Sequence, residues 1–390
     1  MPPIILRTAR ILTPLHEIPG GILVVEDGSI TAVGSPAEMA PPANAEFFEA
    51  PEWTAVPGFV DVHIHGSGGH DVMEGSPEVL TTIAATVARY GTTSLLATTA
   101  SASLDDTCRS VSGIAQFIRQ QNSPATRAPA AQFLGVHFEG PFLSRIRRGV
   151  HPEQWITPPS VEAFRQMLDA AQGCARILTL APEVPGAAEL VEAARSAGLI
   201  VAMGHTDATY EEAAAAISRG ARHAVHIFNA MRPFSHRDTG VVGAVLTSPE
   251  VTAEIIADGV HVDAPAIRIL LAAKGVAGVI LVSDATAATA MPDGRYRLGP
   301  FEVVVTGGVC RNSEGKLAGS TLTLDRAIRH MVALGVSLSD AVRMATYNPA
   351  RLLGLENRKG VFATGADADL VLFDSGLNVR RVMVRGRWVA

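Results

Sequence analysis

Short apolar runs alternate with amphipathic stretches through the middle of the chain, between residues 57 and 355. In order, the apolar runs are FVDVHIH, TSLLATT, QFLGVHFEG, RILTLAPE, LIVAMGHT, HAVHIFNA, AEIIADGVH and VILVSDA. The stretches between them, such as VEAFRQMLDAA and YEEAAAAISRG, repeat apolar residues with a helical period. Continuous apolar strands separated by helices predict a parallel sheet that is covered on both faces. About eight such units in about 250 residues predict an α/β fold of the (β/α)8 barrel type.

A doubly wound open sheet is the competing fold. Such a sheet more often has a Gly-rich phosphate loop after its first strand, and none follows FVDVHIH. The barrel is therefore the prediction that we carry forward.

Both ends of the chain have a different pattern. ILVVEDGSITAVG places two apolar runs on either side of Asp-Gly, which predicts a β-hairpin. ADLVLFD and RRVMVRGRWVA, near the other end, also have the character of strands. We therefore predict a small β-sandwich domain built from residues 1–56 plus 356–390, with the barrel at residues 57–355 inserted between its two parts.

Composition narrows the class of protein. A hydrophobic content of 47% in 390 residues fits a globular protein with a large core. A net charge of −6 without a long basic run argues against a nucleic-acid partner. No run approaches the roughly 20 apolar residues of a membrane span, so we expect no membrane association. Three scattered cysteines without a CxxC motif, and no apolar signal-peptide core, predict a cytoplasmic protein with reduced thiols.

Two histidines, His63 and His65, end the first apolar run and are the strongest chemical signal. Alternate residues of a strand point the same way, so both imidazoles face one space, and imidazole is a common metal ligand. Polar residues also end four later runs: Glu139, His205, His226 and Asp284. Since the C-terminal ends of barrel strands meet at one face, we expect all six side chains to share one opening. Any one of them alone would be typical of a hydrogen-bonded core polar group.

The segments that carry these residues resemble a known family. They are PGFVDVHIHG, HFEGPFL, GVHPE, GHTDATYEEA, HIFNAM, IADGVHV, SDATAA, LAGSTLTL and ATYNPARLLG. Together they resemble the amidohydrolase superfamily and, within it, the N-acetylglucosamine-6-phosphate deacetylases, over nearly the whole chain. The resemblance implies metal-dependent hydrolysis of the acetamide of N-acetyl-D-glucosamine 6-phosphate, in amino-sugar catabolism and recycling.

The chain's own residues restrict the design of the metal site. Many members of the superfamily bridge two metals with a carbamylated lysine, but no lysine precedes Lys274 here. Glu139 is the natural anionic replacement, as in the deacetylase family. Some deacetylases lack the first-strand His pair and look mononuclear, whereas this chain keeps both histidines, so one or two ions are expected. His and carboxylate ligands suit Zn, Fe, Mn or Co.

We assign His205, His226 and Glu139 to a principal metal, and His63 and His65, with the shared Glu139, to a second. A bound divalent metal lowers the pKa of water from 15.7 to about 7, which supplies a nucleophile at neutral pH.

Two residues are assigned to proton transfer and carbonyl polarisation. Asp284 is predicted to take a proton from the attacking water and pass it to the leaving nitrogen, and it also counts among the metal-site residues. The alternative for Asp284 is an N-cap of a following helix. The resemblance implies that His151 polarises the acetyl carbonyl oxygen. Its loop, SRIRRGVH, has three arginines, and we expect a partial lid that folds over a bound anion.

The substrate phosphate needs donors, and arginine offers a bidentate fork. The resemblance places Asn229, Ala230, Arg237 and His261 on the sugar phosphate. It also implies that Arg237 reaches the neighbouring subunit's site, which predicts a homodimer; the alternative for Arg237 is a surface charge. The resemblance further implies that the backbone around Leu317, Ala318 and Gly319 faces the substrate. His70 stays unassigned, and His223 is predicted to be an ordinary polar residue.

Three alternatives remain open. The enzyme could act on the galactosamine epimer or on a cyclic amide, because the phosphate-binding motif does not fix the epimer. A catalytically silent barrel would be expected to have lost ligands or the acid–base residue. All six positions are present here, which disfavours that alternative.

Overall fold

A computed structural model describes residues 2–14, 16–37, 39, 42, 44–121 and 128–390. The strands, in chain order, are β1 (Ile4–Leu12), β2 (Glu17–Pro19), β3 (Ile22–Glu26), β4 (Ser29–Gly34), β5 (Glu46–Pro57), β6 (Phe59–Ile64), β7 (Gly66–Ser67), β8 (His70–Asp71), β9 (Thr92–Thr99), β10 (Gln132–Glu139), β11 (Ala175–Leu180), β12 (Ile200–Met203), β13 (Ala221–Ala224), β14 (Thr252–Ile256), β15 (Val279–Val282), β16 (Gly294–Leu298), β17 (Phe301–Thr306), β18 (Val309–Arg311), β19 (Leu370–Phe373), β20 (Val379–Val384) and β21 (Arg387–Trp388).

The α-helices are α1 (Pro77–Ala88), α2 (Leu104–Gln121), α3 (Val161–Ala171), α4 (Ala187–Ser196), α5 (Tyr210–Arg219), α6 (Gly240–Thr247), α7 (Ala264–Lys274), α8 (Leu324–Ala333), α9 (Leu338–Ala345) and α10 (Tyr347–Leu352). Short 3-10 turns lie at Val72–Glu74, Glu153–Trp155 and Val276–Gly278.

Eight parallel strands form the predicted barrel. Their order is β6, β9, β10, β11, β12, β13, β14 and β15. The ring is completed between its two end strands, where the Asp284 N–H donates to the His63 carbonyl oxygen at 2.9 Å and Ile64 bridges to Ala285. Each strand is followed by a helix, α1 to α8 in turn. All eight residues of β9 are buried, because its outer face packs under helices and its inner face fills the barrel.

The helices begin and end where their sequences predict. In α3 the Ser160 side chain accepts a hydrogen bond from the Ala163 N–H, which caps the first turn. Phe164, Met167 and Ala171 lie on one face of α3 and are buried. This apolar face holds the helix on the barrel and leaves its polar face in solvent.

The two ends of the chain meet in a second sheet, which also has eight strands. Its order is β21, β20, β19, β5, β1, β3 and β4, with β2 beside β1. The predicted hairpin is present as β3 and β4, and Asp27 and Gly28 at its turn both have positive φ, 49° and 88°. The predicted fold class, a (β/α)8 barrel with a small β-sandwich domain from both termini, is confirmed. The division at residues 57 and 355 stays a prediction.

A three-stranded antiparallel sheet, β16 to β18, is inserted between β15 and α8. The domain prediction did not separate it from the barrel. The Gly299 N–H, at the turn between β16 and β17, donates to the Asp71 carboxylate at 2.7 Å, and this contact holds the insertion over the barrel mouth.

The three cysteines are free thiols. In the part of the chain that the structure describes, no helix has the length and apolar character needed to cross a membrane.

A buried ion cluster joins the small β domain to the barrel. Lys359 is 3% exposed, and its Nζ lies 2.6 Å from an Asp369 oxygen and 2.9 Å from an Asp367 oxygen. The Asp369 carbonyl accepts a hydrogen bond from the N–H of Gly58, just before β6. Burial acts to raise the pKa of Asp367, but the Lys359 ammonium outweighs it and the pKa is lowered. The pair therefore stabilises the fold when the carboxylate is ionised.

We expect Lys359→Met to lower the free energy of unfolding by about 3–5 kcal/mol at neutral pH, because it removes the ammonium partner of the buried Asp369 carboxylate and leaves Asp367 with Arg358 alone among the described residues. A carboxylate whose pKa is lower in the folded state than in the unfolded state stabilises the fold at pH values above its unfolded-state pKa. This stabilisation is lost as the pH falls through the folded-state pKa. The difference between wild type and variant should therefore shrink below about pH 4. Urea unfolding from pH 7 to pH 3 measures this, with the exposed Lys316→Met as control; equal loss in both variants would contradict it.

Candidate metal centre

The strand ends bring all six predicted metal-site residues to one end of the barrel. Each lies at, or within two residues of, the C-terminal end of its strand, on β6, β10, β12, β13 and β15: His63, His65, Glu139, His205, His226 and Asp284. All six are buried, with 8% exposure or less. The convergence that the sequence predicted is therefore present.

Backbone conformation helps to aim three of these side chains. His205, His226 and Asp284 each lie two residues beyond their strand and have positive φ, at 47°, 27° and 48°. Such conformations cost non-glycine residues of the order of 1–3 kcal/mol each and persist where surrounding structure enforces them. Each strand thus turns sharply at its end and directs its side chain inward.

Glu139 is the centre of the cluster. Five imidazole Nε2 atoms lie within 3.5 Å of its carboxylate: His226 at 2.9 Å, His205 at 3.1 Å and His63 at 3.3 Å from Oε1, with His65 at 3.2 Å and His151 at 3.5 Å from Oε2. Asp284 closes the other side, with Oδ1 3.3 Å from His65 Nε2 and 3.7 Å from His63 Nε2.

In His65 and His205, the ring nitrogen that points away from Glu139 is Nδ1, and its hydrogen bond fixes the orientation in which Nε2 faces Glu139. His65 donates from Nδ1 to the Thr98 carbonyl at 3.0 Å, and His205 donates from Nδ1 to the Arg147 carbonyl at 3.1 Å. Carbonyl oxygens only accept, so the Nδ1 atoms carry protons, and in the neutral form of each ring the Nε2 lone pair is left for a ligand. Among the described residues, His63 Nε2 is buried without a hydrogen-bond partner.

His151 has the opposite arrangement. Its Nδ1 lies 3.2 Å from the Ser101 backbone nitrogen and 2.9 Å from the Ser101 hydroxyl. A backbone N–H only donates, so Nδ1 of His151 accepts and the proton of the neutral ring is on Nε2. His151 therefore presents an N–H to the cavity, where the metal-site histidines present lone pairs.

Charge is strongly coupled across the cluster. Burial acts to raise the pKa of Glu139, but the charges of His63 and His205 outweigh it and hold the pKa well below its usual value. Burial likewise opposes ionisation of Asp284, and its hydrogen bond with His65 leaves the pKa lowered. Burial would depress the pKa of His65, yet hydrogen bonds to Asp284 and Glu139 raise it to about 10. Both carboxylates are therefore anionic at neutral pH.

The residues present fit a divalent metal. Imidazole nitrogens and carboxylate oxygens are the donors that Zn, Fe, Mn and Co accept. Two groups of three donors, each mutually within 4.8 Å, include Glu139: one with His63 and His226, the other with His151 and His205. A third group joins His63 and His65 to Asp284. These overlapping sets fit a divalent ion at the cluster, and the division into a principal and a second position stays a prediction.

A cavity of about 260 Å³ opens above the cluster. His65, Glu139, His151, His205 and Asp284 contribute to its floor and walls, whereas His63 lies below them with no exposed surface. The size suits a small molecule.

Most of the predicted substrate residues line this cavity: Asn229, Ala230, His261, Leu317 and Gly319. His261 is fixed by a contact of 2.7 Å between its Nδ1 and Asp258. Ala318 is fully buried and is not among the described lining residues.

Arg237 is also absent from the described lining of its own chain's cavity, and it is exposed.

Gly319 has positive φ, and a Cβ there would lie 2.9 Å from the Asp284 carbonyl oxygen, so the close approach requires glycine.

The loop before His151 forms part of the cavity wall. Gly149 and Val150 line it, but none of the loop's arginines is among the described lining residues. Arg147 pairs with Asp207 at 2.6 Å, and Arg148 donates to the His151 carbonyl at 2.9 Å. These arginines anchor the loop, and its folding as a partial lid over a bound anion stays a prediction.

Other residues were missed or left open. Lys316, Leu298 and Phe301 also line the cavity, the last two from the inserted sheet. The unassigned His70 pairs with Glu74 at 3.3 Å and is substantially exposed. The alternative role of Asp284 as an N-cap is not seen, because the next regular element is β16.

Glu254 was missed as well. It is fully buried, and it contacts His63 at 2.8 Å and His223 at 2.9 Å, so His223 belongs to a network below the site. A single carboxylate inside the apolar run AEII is the sequence signal that would have found Glu254.

A closed barrel with imidazoles and carboxylates gathered at its C-terminal mouth defines the class of metal-dependent hydrolases. The chain belongs to the amidohydrolase family, which matches residues 54–389.

Individual proteins that are similar to this chain have names more specific than that of the family. The chain is 35% identical, over 98% of its length and 96% of the relative, to an N-acetylglucosamine-6-phosphate deacetylase of Bacillus subtilis. It is 36% identical to an N-acetylgalactosamine-6-phosphate deacetylase of Escherichia coli O157:H7, over 98% of each. A solved N-acetyl-D-glucosamine-6-phosphate deacetylase of Mycobacterium smegmatis, in complex with that sugar phosphate, has a TM-score of 0.92 and 38% identity over 100% of each chain.

We expect Glu139→Gln to lose bound divalent metal, because five imidazoles then face a neutral amide instead of an anion. Metal content after dialysis, measured by plasma mass spectrometry, tests this. Glu74→Gln, which removes an exposed carboxylate that also contacts a histidine, is the matched control and should keep its metal. Wild-type metal content in Glu139→Gln would contradict the assignment.

Proposed function

We propose that the chain hydrolyses the acetamide of N-acetyl-D-glucosamine 6-phosphate to glucosamine 6-phosphate and acetate. The observation that carries this is the convergence of Glu139, the metal-site histidines and Asp284 in one cavity with the N–H of His151. The relatives named above, matched over nearly their whole length, support the substrate class. Glucosamine and galactosamine differ only in one hydroxyl orientation, and the Escherichia coli relative keeps the galactosamine epimer as the second candidate.

The proposal includes a metal centre with the ligands divided between two positions. His205, His226 and Glu139 would hold the principal ion, and His63 and His65 would hold the second with Glu139 shared. A bound divalent ion lowers the pKa of water and polarises a carbonyl oxygen. The choice among Zn, Fe, Mn and Co is set by availability as much as by these ligands.

The chain's own groups provide the proton transfers. Asp284, anionic and at the cavity wall, accepts a proton from the attacking water as its oxygen bonds to the acetyl carbon. His151 donates its Nε2–H to the carbonyl oxygen as negative charge develops there. Asp284 then passes its proton to the sugar nitrogen and the carbon–nitrogen bond breaks. The products are the free amine and acetic acid, which ionises to acetate and gives its proton to the amine or to solvent.

The other end of the cavity would bind the phosphate. Asn229, the Ala230 backbone and His261, which line the cavity, would bind it, and the lining residue Lys316 would add a cation that the sequence did not suggest. Arg237, exposed and outside its own chain's cavity, would complete the site of a neighbouring subunit in a homodimer. The substrate is thus a small sugar phosphate. The three free thiols support the cytoplasmic location expected from the sequence.

Acetate release from the phosphorylated and unphosphorylated sugars, in both epimers, tests the function. Wild type should act on N-acetylglucosamine 6-phosphate and lose activity with a chelator. Asp284→Asn should keep its fold by circular dichroism and lose about 10²–10⁴-fold in kcat. Near-normal kcat in this variant would remove Asp284 from the mechanism, and no acetate from either sugar phosphate would refute the function.

We expect Arg237→Ala to raise KM for the phosphorylated sugar about 10- to 100-fold, since a charge-assisted hydrogen bond contributes about 1.5–3 kcal/mol. Activity on the unphosphorylated sugar should barely change. Mixing Arg237→Ala with Asp284→Asn subunits should restore native KM in part, because a mixed dimer has one site with both residues. Equal losses on both sugars would contradict the phosphate role, and no restoration would contradict the shared site.

A further inference from the structure

A buried carboxylate lies beneath the metal centre and contacts ligands of both proposed ion positions. Glu254 is in β14 and has no exposed surface. Its Oε2 accepts a hydrogen bond from His63 Nδ1 at 2.8 Å and from the His226 backbone N–H at 3.2 Å. His63 belongs to the second position and His226 to the principal one. A single carboxylate oxygen of Glu254 is therefore hydrogen-bonded to one residue of each proposed ion position.

The rest of Glu254 is held equally firmly. Its Oε1 accepts from His223 Nε2 at 2.9 Å, and the other nitrogen of His223 lies 2.7 Å from the Thr252 hydroxyl. The Glu254 carbonyl oxygen accepts from the Ile227 N–H at 2.9 Å, next to His226. A charge buried in this way is retained only with such a set of donors.

These groups are poorly suited to bind an ion themselves, although His63, His137 and Glu254 offer three donor atoms within 4.8 Å. Both nitrogens of His137 are used, one 3.0 Å from the Val62 carbonyl and the other 2.7 Å from the Thr179 hydroxyl. Both Glu254 oxygens accept hydrogen bonds. Both nitrogens of His137 and both carboxylate oxygens of Glu254 are therefore already engaged in hydrogen bonds, which disfavours binding a metal there.

The effect of Glu254 on His63 is specific. Because the carboxylate accepts a hydrogen bond from Nδ1–H, the proton of the neutral ring stays on Nδ1. The Nε2 lone pair is then left toward Glu139 at 3.3 Å and Asp284 at 3.7 Å. Partners of this kind fix the ring and its tautomer and increase its basicity as a ligand. His65 and His205 have neutral carbonyl oxygens at the corresponding nitrogen. His63 has an anion there.

We propose that Glu254 is a positioning residue that determines whether the second ion position, formed by His63 and His65, is filled. This rests on the two-ion centre under the proposed function. Without the Glu254 charge, the first-strand histidine pair keeps its place but loses the orientation and basicity that hold an ion. The principal position, formed by His205, His226 and Glu139, keeps its ligands.

Zn²⁺ titration of the metal-free full-length protein tests this by calorimetry and by metal content after dialysis. Glu254→Gln keeps the shape and removes the charge. One of two ions should bind about 10- to 100-fold more weakly, with the other unchanged, and raised Zn²⁺ should restore occupancy. Two ions with wild-type affinities in Glu254→Gln, or a single ion in wild type, would overturn the proposal.

Glu183→Gln is the matched control. Glu183 accepts from the Thr206 hydroxyl at 2.6 Å and the Asp207 N–H at 2.7 Å, close to His205 in the chain but not bonded to an imidazole. It should keep both affinities. Loss of the same ion in this variant would show a general sensitivity to charge near the site and would overturn a specific role for Glu254.

Native protein gives a second measurement if Glu254→Gln does not fold. With ¹⁵N-labelled histidine, the hydrogen-bonded Nδ1–H of His63 should give a downfield proton signal that persists when Zn²⁺ is added. Its loss on adding Zn²⁺ would overturn the proposal. Both measurements report metal binding and do not depend on activity. If the protein binds two ions as expected but releases no acetate, the proposed function is refuted and the role of Glu254 still stands.

Discussion

The ionised and almost fully buried carboxylate of Glu139 is the constraint on which the site depends. A buried anion is expensive unless positive charge or hydrogen-bond donors surround it. Five imidazole Nε2 atoms lie within 3.5 Å of Glu139, and protons on these rings or a divalent ion held among them would supply that charge. These imidazoles come from β6, from the ends of β12 and β13 and from the loop after β10. Only a closed ring of parallel strands brings these segments to one point. The fold and the chemistry therefore support each other.

The same residue type performs two tasks at this point, and its hydrogen-bond partner decides which. A carbonyl or carboxylate behind the ring keeps a proton on Nδ1 and turns a lone pair toward the centre, as in His65, His205 and His63. A backbone N–H behind the ring does the reverse in His151. The proposed ligands and the proposed hydrogen-bond donor therefore differ in the partner behind the ring, although they lie within a few ångströms of each other.

The walls of the cavity come from parts of the chain with independent supports. The loop before His151 is anchored by Arg147 on Asp207, and its backbone in turn holds the metal-site residue His205. The inserted sheet adds Leu298 and Phe301 on another side. The cavity floor is therefore fixed by the barrel, while its shape above the floor depends on loops and on an insertion that vary more easily.

The amino-acid sequence by itself determined the alternation of strands and helices, and with it the barrel, because burial on both faces imposes continuous apolar runs. It also determined that the six predicted metal-site residues would converge, because polar residues ended those runs. Tertiary structure alone decided the pairing of the loop arginines, the exposure of Arg237, the tautomer at His151 and the contacts of Glu254. Each depends on partners distant in the chain, such as Ser101 for His151, and no local pattern of residues encodes a contact across the barrel.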